Sequence, residues 1–69
     1  NRRMQLTLNG DARHSQPAST IATLLADEGL TERRVAVEVN GEIVPRGRHA
    51  EHPLHDGDRV EIVHALGGG

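Results

Sequence analysis

Val35-Ala36-Val37-Glu38-Val39-Asn40-Gly41-Glu42-Ile43-Val44-Pro45 is the most regular stretch of the chain, and it sets the fold class. Valines at 35, 37 and 39 alternate with Ala36 and Glu38, the period of a strand with one buried face. Asn40-Gly41 supplies two residues that tolerate positive φ, as both central positions of a type I′ hairpin turn require. The chain returns through Glu42-Ile43-Val44. Pro45, which has no N–H to give a ladder, ends the strand. A hairpin with one apolar face needs a second layer to cover it.

The segment before it supplies that layer. Ser19 is a good N-cap, and residues 20–28 carry the period of a helix. Ile21, Leu24, Leu25 and Glu28 fall at i, i+3, i+4 and i+7, a narrow apolar stripe that ends at an acid. Gly29 stands where a left-handed residue closes a helix, and Leu30 is placed to make the hydrophobic contact of such a cap. Further back, Met4-Gln5-Leu6-Thr7-Leu8 alternates again, and Asn9-Gly10 is a second hairpin signal. The return over residues 12–16 is weak and polar, which predicts an edge strand, with Pro17 at its end.

Residues 46–55 are polar and irregular, and Leu54 is their only large apolar member, expected under the sheet edge. Asp56-Gly57-Asp58 predicts a tight turn into a last strand over residues 59–63. There Val60 and Ile62 face inward, and Glu61 and Val63 face outward. The order strand, strand, helix, strand, strand, strand predicts an α+β roll, with one helix on one mixed sheet. Residues 1–3 read as upstream residues, 4–64 as the domain and 65–69 as a flexible tail.

Sixty-nine residues place the domain near the lower limit of independent folding. Phe, Tyr and Trp are absent, so the core comes from Leu, Val, Ile, Ala and Met4. Such a core rarely supplies more than roughly 3–5 kcal/mol net, and a large cofactor pocket is not expected in it. The chain lacks Cys, which excludes disulfides, thioesters on its own sulfur and Cys-type metal sites, and is compatible with a reducing cytoplasm. No apolar run has the length of a signal sequence or a membrane span. The net charge is −2, with eight Arg and ten acids interspersed. Without a basic stripe or stacking aromatics, nucleic-acid binding is a poor fit. Lys is absent too, so no side-chain amine is available to attack an activated carboxyl group.

The last three residues, Gly67-Gly68-Gly69, have no side chains. Extended, three residues reach roughly 10 Å and the five from Ala65 roughly 17 Å. A tether this slim can thread a terminal carboxylate down a narrow channel with no Cβ to clash. Such a carboxylate has an ordinary pKa of about 3.3–3.7, so it is ionised at neutral pH and is a poor electrophile until activated.

From Met4 to Gly69 the chain resembles the ubiquitin-like β-grasp proteins, and more narrowly the small sulfur carriers of thiamine biosynthesis. The resemblance rests on Met4-Gln5-Leu6 with the Asn9-Gly10 turn and on the helix from Ser19 to Leu25. It continues through Val37 to Arg46 with the Ile43-Val44-Pro45-Arg46 stretch, then Leu54 to Val63 with its Asp56-Gly57-Asp58 turn, and the closing glycines. It implies a mixed sheet of four to five strands packed on one helix. It further implies that a partner adenylyltransferase of the E1-like kind consumes ATP to adenylate Gly69. A sulfur donor protein then converts the adenylate to a thiocarboxylate, and a thiazole synthase receives the sulfur. The chain itself would bind no cofactor and would act in the cytoplasm as a carried substrate rather than an enzyme. Gly67 and Gly68 are the tether, and the expected partner contacts are Ala36, Glu61, Val63, His64, Ala65 and Leu66. Family members often carry Trp where this chain has His49, which leaves the conformation of residues 46–55 open.

Three alternatives accompany this reading. The small subunit of molybdopterin synthase shares the chemistry and the terminal glycines but is usually longer and lacks the Ile-Val-Pro-Arg stretch. A metal-binding module would use His49, His52 and His55, which recur every three residues, although Pro53 and Gly47 argue against a regular helix there. Solvated loop histidines are the simpler account. An enzyme in its own right finds little support: Asp56 and Asp58 suit a turn, and Ser15 and Ser19 have no evident base.

Overall fold

Both Asn-Gly pairs turn the chain as their chemistry demands: φ is 51° at Asn9, 86° at Gly10, 53° at Asn40 and 89° at Gly41. Four left-handed residues in two tight turns fold four strands into two hairpins. The structure, a computed structural model, describes residues 3–64. Its elements are β1 (Met4–Leu8), β2 (Asp11–Ser15), α1 (Ile21–Asp27), β3 (Val35–Val39), β4 (Glu42–Val44), a 3₁₀ segment (Arg46–Glu51) and β5 (Arg59–His64). No helix among the described residues is long and apolar enough to cross a membrane.

The five strands form one mixed sheet in the order β2-β1-β5-β3-β4. β5, last in the described chain, lies at the centre. It runs parallel to β1, with Leu8 opposite Val60, and antiparallel to β3, with Val37 opposite Ile62. β2 is the polar edge that its sequence predicts. One face of the sheet meets α1, and between them lie Leu6, Leu8, Ile21, Leu24, Leu25, Val37, Val39, Val44, Leu54, Val60 and Ile62. Every inward position of the three apolar strands is thus filled, with Met4 and Val35 partly buried at the margin.

The two turn asparagines do more than reverse the chain. Each reaches β5 through its side chain. Asn9 accepts the Ile62 N–H at 2.7 Å and donates to the Ile62 carbonyl at 3.2 Å. Asn40 accepts the Arg59 N–H at 2.9 Å and donates to Asp58 at 3.0 Å. The central strand is therefore fastened from both neighbouring hairpins. Asp58 also accepts the His55 N–H at 2.8 Å, and Asp56 accepts that of Gln5 at 2.7 Å. Both aspartates hold the turn around Gly57, as expected.

Two local expectations are corrected. The N-cap is Thr20, not Ser19: its hydroxyl accepts from Thr23 N–H while the Thr23 hydroxyl accepts from Thr20 N–H, a reciprocal capping box. Ser19 is buried one step earlier and donates to the Gln16 carbonyl at 2.7 Å. At the other end Gly29 takes φ 76°, and Leu30 N–H reaches the Leu25 carbonyl at 2.8 Å, completing a Schellman closure. The second correction concerns His49, which is not a solvated loop residue. The 3₁₀ turn carries it inward to 6% exposure, with Nε2 3.0 Å from the Val44 carbonyl. The ring ties the loop to the end of β4.

Candidate functional site

β5 alternates strictly: Val60 and Ile62 enter the core while Arg59, Glu61 and Val63 face away from α1. Register fixes their neighbours on the uncovered face. Val63 stands opposite Ala36, Glu61 opposite Glu38, and Glu38 opposite Ile43 of β4. The result is a compact patch across the three strands β4, β3 and β5, at the end from which the chain leaves β5. It exposes two large apolar side chains, Ile43 at 67% and Val63 at 58%. Between them sit two carboxylates directly across the strands, an arrangement that destabilises a sheet. Exposed aliphatics beside an acid pair mark a surface suited to a partner that brings apolar cover and positive charge.

The predicted contact residues divide accordingly. Ala36, Glu61 and Val63 lie together on this face. His64 is exposed but alternates to the opposite side of the sheet, opposite Val35. Ala65, Leu66, Gly67, Gly68 and Gly69 lie outside the described residues. Ile43 and Glu38 belong to the patch and were not singled out by sequence. The signal was present: a two-residue turn at Asn40-Gly41 pairs Val39 with Glu42, so Ile43 must face outward with Glu38.

The rival sites take shape differently. His49 turns inward to the Val44 carbonyl, whereas His55 is an exposed neighbour of Asp58 at 3.9 Å. Among the described residues no group of three or more His, Asp or Glu is gathered as a metal site. Ser15 and Ser19 face each other at 3.4 Å in a buried hydroxyl pair.

A five-stranded mixed sheet with the last strand central and one helix across it defines a ubiquitin-like β-grasp domain. Comparison with known proteins narrows this further. The ThiS family profile matches residues 6–69, and the chain belongs to that family. It is 45% identical over 65 residues to the sulfur carrier protein ThiS of Bacillus subtilis, covering 93% of this chain and 98% of that one. A thiamine biosynthesis protein (ThiS) from Geobacter metallireducens superposes with a TM-score of 0.83 at 32% identity, covering 96% of this chain and all of that one. A thiazole synthase of Paramagnetospirillum magneticum is 44% identical over 66 residues, which span 96% of this chain but 20% of that protein. The chain thus spans about a fifth of the length of the thiazole synthases it matches.

Proposed function

We propose that the chain is a sulfur carrier of thiamine biosynthesis, with Gly69 as the residue that bears the sulfur. The observation that carries this reading is the match to a sulfur carrier over nearly the full length of both chains. The family match itself runs through the terminal glycines. In the cytoplasm, where ATP is at hand, a partner adenylyltransferase activates the Gly69 carboxylate, releasing pyrophosphate and leaving an acyl-adenylate. Sulfide-level sulfur from a donor protein displaces AMP, and the product is a thiocarboxylate. A thiazole synthase is the recipient, a role supported by the thiazole synthases that contain a similar segment. The chain supplies no acid, base or resident cofactor to these steps. It supplies a slim reactive end and a surface by which enzymes hold it.

That surface is the face bearing Ile43, Glu38, Glu61, Ala36 and Val63. Ordering the tail inside an enzyme costs about 1–2 kcal/mol per residue, with glycine at the high end. Contacts of the folded body must offset this. The test is intact mass spectrometry after incubation with ATP, the adenylyltransferase and a sulfur source. The expected result is one oxygen exchanged for one sulfur, mapped to Gly69 by fragmentation. Deleting Gly69 should abolish the exchange without altering the fold; loading of the truncated chain would sink the assignment.

A further inference from the structure

A pocket of about 180 Å³ opens on the side of the sheet opposite the patch, where α1, the 3₁₀ segment and the start of β3 meet. Ala22, Leu25, Val35 and Ala50 give it an apolar lining, and Arg33 and Arg46 stand at it as well. Two of its members are fixed: Leu25 is 7% exposed, and His49 is held by the Val44 carbonyl. Drug-sized ligands and cofactors occupy about 300–1,000 Å³, so this space is too small for them. It suits one branched apolar side chain. Both arginines are exposed, and among the described residues neither makes an ion pair; the pairs there are Arg13–Glu28 and His55–Asp58. A guanidinium favours a carboxylate, with which it makes paired charge-assisted hydrogen bonds.

We propose that this pocket is a second docking site, taking from a partner protein one leucine-like side chain flanked by carboxylates. Apolar bulk enters between α1 and the 3₁₀ segment, and the acids meet Arg33 and Arg46. An anchor side chain in a pocket with charged neighbours is the arrangement that concentrates binding energy in protein interfaces. Val35 lines the pocket and is the register partner of His64, so the site lies at the end where the chain leaves β5. A protein gripping the domain here touches its helix side and leaves the Ile43–Val63 face free. The proposal needs only the pocket and its arginines, and stands apart from the chemistry at Gly69.

The test is an amide-resolved NMR titration of the isotope-labelled chain with a blocked tripeptide, leucine between two glutamates, at millimolar concentration. Saturable shifts are expected at Ala22, Val35 and Ala50, with Ile43 and Val63 unmoved. The double variant R33S/R46S, at two exposed positions, should weaken binding by about tenfold. Ala50→Leu, which fills the pocket from an exposed position, should abolish it while native amide dispersion persists. The same peptide with lysines in place of glutamates should leave the spectrum unchanged. Absence of saturable shifts, an equal response to the lysine peptide, or the same shifts from inorganic phosphate alone would each overturn the proposal.

Discussion

Asn40 holds φ at 53° and uses both ends of its amide across the sheet, toward Asp58 and toward the Arg59 N–H. Conformation and bonding can be separated by substitution. Asn40→Gly keeps the left-handed backbone at no steric cost and loses only the side-chain bonds, so it should cost about 1–3 kcal/mol. Asn40→Ala adds the penalty of a Cβ in that region, roughly 1–2 kcal/mol more. Urea unfolding of the two variants checks the order; equal stabilities would mean that the backbone conformation carries no strain. His49 is the other residue whose role exceeds its sequence context. His49→Ala removes a buried hydrogen bond and opens a cavity beneath β4, with an expected loss of about 2–4 kcal/mol. Among point changes in the 3₁₀ segment it should be the most damaging, and a thermal melt unchanged from wild type would show the ring to be dispensable.

A seven-residue helix is too short to stand by propensity, so α1 depends on its ends and its buried face. Thr20→Ala breaks the reciprocal cap with Thr23 and should cost about 0.5–2 kcal/mol, measured by the midpoint of thermal unfolding. The strands, turns and helix closure were all legible, because alternation, Asn-Gly pairs and a glycine after the last turn each have one structural meaning. The cap was misplaced by one residue because Ser19 and Thr20 both suit the position. Only Thr20 has a hydroxyl partner three residues on, with Ala22 in that place for Ser19. The 3₁₀ segment was not legible: its polar residues follow neither helix nor strand period, so nothing marked His49 as the one that turns inward. The outward residues of β5 were plain from its alternation. The pocket beside α1 was not, since it is assembled from three separate stretches of chain that only the fold brings together.

As a globule the domain has little stability to spare. Leu6 is 1% exposed at the heart of the sheet. Leu6→Ala should cost about 2–5 kcal/mol, as much as the roughly 3–5 kcal/mol that a core of this size supplies. The variant should be largely unfolded by circular dichroism at room temperature. Against so small a reserve, two like-charged residues paired across β3 and β5, Glu38 and Glu61, are an unfavourable feature. Glu38→Gln should raise stability by about 0.2–1 kcal/mol, and the gain should shrink as salt is added. The same change should weaken association with the proposed partners, measured by calorimetric titration with an adenylyltransferase or a thiazole synthase. Stability and binding moving in the same direction would argue against a docking role for the pair. The strand order has one more consequence. β5 is synthesised last of the described elements yet lies between β1 and β3, which touch each other only through it. Before β5 is made, the two hairpins have no shared sheet to join. Until residue 64 has cleared the ribosomal exit tunnel the core lacks Val60 and Ile62. Closure of the sheet therefore waits for the segment that leads into the glycines, and a chain cut short before it lacks the strand that joins the two hairpins.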